Sequence, residues 1–227
     1  MQWLFPRRVW AFSRKEPNIY LTFDDGPIPE VTPWVLDLLK EYDAKATFFC
    51  IGENVKKHPE IFKRIIAEGH RIGNHTFHHL NGWKTKREEY LKDIVAAEKQ
   101  FNSIQLSEKT PLKSTQGDTN VASTKIQIFK NIQAPSSNLF RPPYGKMTSK
   151  QEKEIRNKGY KIVMWDVLSA DFDPSTSKEK CLQNVTKNIK LGSIVVFHDS
   201  LKAEKNLRYV LPKVLDLFNI KLIDSCI

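Results

Sequence analysis

Two histidines four residues apart, His75 and His79, lie in the run Asn74-His75-Thr76-Phe77-His78-His79. On one helical turn this spacing puts two imidazoles on the same face, ready to share a metal ion. A carboxylate added to them makes a two-histidine, one-carboxylate set with open positions. That suits a catalytic metal better than a closed structural one. The run Asp24-Asp25-Gly26-Pro27 offers the carboxylate. Side chains alternate along a strand, so Asp24 and Asp25 point differently and suit two separate roles. His78 competes with His79 as the second imidazole. Three further polar clusters accompany these: Arg141-Pro142-Pro143-Tyr144-Gly145, Asp171 a few residues after Trp165, and His198-Asp199. Each has a plain alternative. Asp24–Gly26 reads equally as a turn, Arg141 as a surface loop residue, His198 as a helix cap and Trp165 as core. It is their joint occurrence that points to a site.

The elements that must position these residues alternate between short apolar runs and longer amphipathic stretches. Residues 18–23, 46–51, a short run at Ile72, 160–165, 193–197 and 220–223 read as strands. Helices are predicted over 31–42, 59–68, 87–101, 150–158, 178–189 and 207–218, several closed by glycine. Gly52 reads as the stop of the second strand. Strands alternating with helices argue for parallel β/α units. Ile194-Val195-Val196-Phe197 has the unbroken apolar character of a buried parallel strand. The polar clusters fall at the C-terminal ends of the strands, where parallel β/α folds assemble their sites.

The sequence resembles the polysaccharide deacetylases of the NodB-homology type, carbohydrate esterase family 4. The matching pieces are Thr22-Phe23-Asp24-Asp25-Gly26, His75-Thr76 with His79, Arg141-Pro142-Pro143-Tyr144-Gly145, Trp165 to Asp171, and Ile194 to His198 with Asp199. They occur in the family's order. The resemblance implies a distorted (β/α) barrel of about seven repeats. It also implies a metal-dependent hydrolase that removes N-acetyl groups from N-acetylglucosamine-containing glycans of the peptidoglycan or chitooligosaccharide type. By the same resemblance, Asp25, His75 and His79 hold a divalent metal, zinc above all, with cobalt or another ion as alternatives. Asp24 is the general base, His198 the general acid, Arg141 the partner of Asp24 and Asp171 that of His198; the Tyr144 N–H helps hold the oxyanion. Three positions depart from the family's habit. Phe172 stands where tryptophan is frequent, Leu168 where an acidic residue is, and Val196 where leucine is.

Composition bounds the rest. A chain of 227 residues that is 40% hydrophobic can build one sizeable domain. We expect a single domain over 1–227 with a polar, aperiodic insertion at about 105–138, in which only 126–132 has the pattern of a short element. The net charge of +10 is spread along the chain, with no basic block and no nucleic-acid-reading signature, so a nucleic-acid partner is not expected. A diffuse positive surface favours glycans that carry carboxylates. Cys50, Cys181 and Cys226 are too scattered for a disulfide framework or a thiolate zinc site. Residues 1–12 lack the features of a signal peptide or a transmembrane span, being broken by Pro6 and by Arg7 and Arg8. A cytoplasmic or membrane-peripheral address is the expectation. Trp3, Leu4, Phe5 and Trp10 beside arginines have the make-up of a weak membrane-surface contact; packing on the domain is the favoured alternative.

Overall fold

The computed structural model describes residues 5–15, 18–107, 138–217 and 220–221. Among the described residues eight parallel strands form one sheet: β1 (Ile19–Asp24), β2 (Thr47–Cys50), β3 (Arg71–Asn74), β4 (Leu139–Phe140), β5 (Lys161–Ile162), β6 (Val167–Leu168), β7 (Ile194–His198) and β8 (Ile220–Lys221). Their order is β5-β4-β3-β2-β1-β7-β6, with β8 beside the start of β1. The path is open at β5 and β6, which makes a half-barrel and matches the distorted (β/α) barrel expected. The helices are α1 (Thr32–Glu41), α2 (Gly52–Lys57), α3 (Pro59–Ala67), α4 (Arg87–Ser107), α5 (Ser149–Asn157), α6 (Lys178–Thr186) and α7 (Glu204–Leu217).

Every residue of β1 is buried, and so are the first four of β7. Phe23 stacks between Phe48 and Phe197 of the neighbouring strands, joining the sheet to the main core formed with α1, α3 and α7. Register fixes the working end. Asp24 pairs with both Phe49 and His198, and Asn74 pairs with Cys50 and Phe140. Asp25, His75 and Arg141 are thus each the first residue past a strand, all at one rim.

Several boundaries differ from the sequence reading. Gly52 does not stop a strand. It opens α2, because a Cβ there would lie 2.6 Å from the Phe77 ring and 2.9 Å from the Ala97 backbone. The glycine serves close packing of α2 on α4, and Glu53 at the start with Lys56 and Lys57 at the end suits the helix dipole. Helix α4 runs on to Ser107, so the helix overlaps the start of the segment expected to be an insertion; residues 108–137, including 126–132, lie outside the described residues. The strand expected over 160–165 forms a ladder only at 161–162, with a single bridge at Val163, and β6, too short for any periodicity, was not legible.

The N-terminal segment packs on the domain. Val9 bridges to Val163 and Ala11 to Ser193. Trp10 is buried in a second apolar cluster with Tyr90, Phe140 and Ile162, and Arg8 makes a buried ion pair with Glu152 at 2.7 Å. Arg8 and Trp10 are therefore withdrawn from any membrane surface; residues 1–4 are outside the described set. Among the described residues no helix is long and apolar enough to cross a membrane.

Candidate active site

The rim carries a cleft of about 630 Å3 lined by Asp24, Asp25, His75, His79, Tyr144 and His198 among others. Arg141 and Asp171 lie fully buried behind it, each holding one of the cleft's polar residues. All eight residues singled out in the sequence thus meet in one place.

His75 and His79 converge, though by a different route from the helical turn their spacing suggested. Residues 75–79 form an irregular loop after β3, with Thr76 at φ 65° and His79 at φ 56°. Asp93 of α4 clamps this loop. Its Oδ2 accepts the N–H groups of Phe77 and His78, and its Oδ1 pairs with His78 Nδ1 at 2.5 Å. Asn74 adds a bond from the Thr76 N–H to its Oδ1. The positive φ of Thr76 and His79 rules out a continuous helical turn here. His78 is thereby turned to Asp93, with its side chain 58% exposed, and away from the other two imidazoles. His75 Nδ1 bonds the Arg141 carbonyl at 2.8 Å, which leaves its Nε2 for the cleft.

Asp25 faces both imidazoles, its Oδ1 3.3 Å from His79 Nε2 and 3.7 Å from His75 Nε2. Donors about 2.0–2.1 Å from one tetrahedral ion stand about 3.3–3.4 Å apart, so the three fit one small divalent cation. Asp25 Oδ1 is also buried without any hydrogen-bond partner, the signature of an acceptor reserved for a ligand. Burial holds His75 well below the usual imidazole range and lowers His79 too, with His198 and Lys202 adding to the effect on His79 and Asp25 opposing it. Both are then neutral donors at neutral pH.

Asp24 is held otherwise. Its Oδ1 accepts from Arg141 Nη1 at 2.7 Å, and burial pushes its pKa up against the pull of Arg141 and His198. Arg141 also donates to Thr22 Oγ1 and to the carbonyls of Val163 and Met164, and lies 4.1 Å over the Phe49 ring. His198 Nδ1 bonds Asp171 Oδ1 at 2.8 Å, and Asp171 Oδ2 accepts the His198 N–H. Burial disfavours the charged imidazole, but Asp171, with Asp25 and Asp24 behind it, more than offsets this and His198 is pushed up to about 9.

That shift has a consequence for stability. His198 binds its proton more tightly folded (about 9) than at its ordinary value of 6.5. In metal-free protein the extra stability, on the order of 3 kcal/mol, is fully present below about pH 6.5 and lost as pH rises through about 9. Urea unfolding across that range should show the decline, and Asp171→Asn should flatten it. An equal slope in both proteins would remove Asp171 as the cause.

Two contributors escaped the sequence reading. Asp199, noted only as following His198, accepts the Gly26 N–H at 3.0 Å and the Thr32 hydroxyl at 2.6 Å, and burial pushes it up to about 8. A Cβ at Gly26 would lie 1.9 Å from Asp199 Oδ2, so only glycine admits this contact beneath the Asp24-Asp25 turn. Asn54 of α2 donates to the Asp25 carbonyl at 2.7 Å. Asp199 was marked only as part of the His198-Asp199 cluster, and Asn54 stands in no pattern that distinguishes it from ordinary helix polarity.

The polysaccharide deacetylase family profile matches residues 13–127. A peptidoglycan-N-acetylglucosamine deacetylase of Bacillus cereus is 35% identical over 208 residues, 91% of this chain and 84% of that protein. The chain belongs to the polysaccharide deacetylase family. A second family member, a chitooligosaccharide deacetylase of Azorhizobium caulinodans, is 32% identical over 187 residues, 82% of this chain and 76% of that protein. A solved structure of a peptidoglycan N-acetylglucosamine deacetylase, in complex with 4-naphthalen-1-yl-N-oxidanyl-benzamide, superimposes with a TM-score of 0.75 at 29% identity, over 98% of this chain and 93% of that one. Leu168, Phe172 and Val196, the three departures from the family's habit, all line the cleft. They supply apolar wall beside the acidic and imidazole groups.

Proposed function

We propose that this deacetylase-family protein hydrolyses the N-acetyl amide of N-acetylglucosamine units in glycans of the peptidoglycan or chitooligosaccharide type. The observation that carries the reading is the buried, unpartnered Asp25 Oδ1 between two neutral imidazoles, with a base and an acid on separate supports beside it. Asp25, His75 and His79 would hold a divalent ion, zinc foremost. Such an ion supplies Lewis-acid polarisation of the acetyl carbonyl and acidifies water.

The chain's own groups do the rest. Arg141 occupies Asp24 Oδ1 and fixes the carboxylate, leaving Oδ2 to take the proton of the attacking water. Burial raises the basicity of Asp24, which strengthens it for that task. His198, protonated at neutral pH, gives the Nε2 proton to the departing amine, and Asp171 holds the ring in that orientation. The Tyr144 N–H makes no hydrogen bond among the described residues, and Tyr144 sits at φ 60° with its ring 4.6 Å from that of His79. It is placed to donate to the carbonyl oxygen as negative charge gathers there. Phe172 flanks His198 at 4.7 Å, so apolar surface borders the site and keeps water from the acetyl methyl.

The test is acetate release from chitooligosaccharides, peptidoglycan and acetylated xylan, each with added zinc or cobalt. Metal-dependent release from the N-acetylated glycans is expected. Release from xylan alone would replace the amide reading with an ester one, and release from none would leave no deacetylase.

A further inference from the structure

The two most exposed aromatic side chains among the described residues are Trp83, 65% exposed, and Tyr144, 60% exposed. Tyr144 lines the cleft; Trp83 is outside it. The chain links them through Lys146, whose ammonium lies 5.3 Å from the Trp83 ring centroid. Lys146 is two residues from Tyr144, at most about 7 Å along the chain.

An exposed tryptophan on a loose loop would mean little. Trp83 is not on one. Its indole N–H donates to the Met147 carbonyl at 3.1 Å, and its backbone N–H to Asn81 Oδ1 at 3.0 Å. Buried Gln151 of α5 ties the loop down by donating to the carbonyls of Gly82 and Thr85 and accepting the Thr148 N–H. A Cβ at Gly82 would lie 2.6 Å from the Lys146 carbonyl, so the 81–85 loop is packed hard against the 146–151 segment. The ring is fixed and its one polar atom already satisfied. What remains open is apolar face. Ring faces held in water in this way cost nothing further to order on binding, the property that marks binding hot spots.

We propose that Trp83 and Lys146 form a second glycan subsite, next to the cleft on its Tyr144 side. It would take a neighbouring sugar of the same chain whose acetyl group lies in the cleft. The C–H face of a pyranose packs on the indole. Lys146, which has no acidic partner among the described residues, meets a carboxylate borne by that sugar or its substituent. The occupant is therefore an extended, carboxylate-bearing glycan, in keeping with the chain's net charge of +10. This inference rests on the deacetylase reading for its polarity along the cleft. Binding energy gathered away from the reacting bond is what lets an enzyme favour long substrates in turnover.

The experiment uses zinc-loaded protein and compares Trp83→Ala, Trp83→Phe and Lys146→Met with the parent. Substrates are an N-acetylglucosamine disaccharide, a neutral chitin tetrasaccharide and a tetrasaccharide peptidoglycan fragment with free carboxylates. Trp83→Ala should lose about tenfold in kcat/KM on both tetrasaccharides and nothing on the disaccharide, with metal content and Tm unchanged. Trp83→Phe should keep most of the activity, because the ring is what binds. Lys146→Met should lose only on the acidic fragment. Equal losses on short and long substrates, or a Phe variant as poor as the Ala variant, would overturn the subsite and leave Trp83 a loop-fixing residue. Tetrasaccharide binding, measured calorimetrically in an Asp24→Asn background, separates the two claims. Trp83-dependent binding without acetate release from any parental reaction would sink the deacetylase reading while the subsite stands.

Discussion

Replacing His79 with alanine is expected to abolish stoichiometric retention of zinc, with affinity falling by more than about a hundredfold, since even outer-shell losses cost about 10–100-fold. Only three side chains converge as donors among the described residues: Asp25, His75 and His79, their ligand atoms within 4.8 Å of one another. Removing one leaves a half-buried carboxylate and a single imidazole, two donors where a catalytic site commonly uses three. His75→Ala should do at least as much harm, because His75 is almost fully buried and also bonds the Arg141 carbonyl. His78→Ala is the control. Its imidazole belongs to Asp93, and removing it leaves the two Asp93 bonds to the loop backbone in place. Metal content after dialysis against a weak chelator reads the outcome. Parental affinity in His79→Ala, or loss in His78→Ala alone, would move the second ligand to His78.

The site was legible where chemistry demands particular residue types. Asp24, Asp25, His75, His79 and His198 were marked by type and by position near strand ends, and the parts of Arg141, Asp171 and Tyr144 only by the resemblance to polysaccharide deacetylases. The long strands were legible for an equally physical reason. Ile194–Phe197 can only be buried on both faces, and parallel pairing on either side of β1 follows from that. What escaped was set by tertiary contact. Gly52 looks like punctuation and is a packing glycine. The His75–His79 spacing looks helical and is a loop, with Thr76 and His79 at positive φ and its backbone held by Asp93, sixteen residues beyond Phe77. Asp199 looks like an appendage to His198 and supports the turn that carries Asp25. No local period encodes any of these partners, since each lies in a different element.

Asp24→Asn should leave a folded, metal-competent protein that has lost most of its turnover, by about 10²–10⁴-fold, the usual worth of a positioned general base. The substitution is nearly isosteric. The amide oxygen can still accept from Arg141 Nη1, and the guanidinium keeps Thr22 Oγ1, two carbonyls and the Phe49 face as partners. Those contacts limit the cost of removing the carboxylate charge beside a buried arginine, which with no partner left would reach about 3–5 kcal/mol. Asp24 lies outside the set of three converging donors, so zinc content should match the parent. The amide has no basic oxygen, and water beside it keeps its proton. Arg141→Met is the contrasting case. It strands Asp24 and two carbonyls in the core at once, while Thr22 Oγ1 keeps its bond to the Val195 carbonyl, so it should fail first in Tm and soluble yield. Initial rates of acetate release, zinc content and thermal melts on the two variants separate catalytic loss from structural loss. Near-parental rates in Asp24→Asn would place the base elsewhere. Loss of zinc in that variant would make Asp24 a fourth ligand and recast the pair Asp24 and Asp25 as a shared metal support.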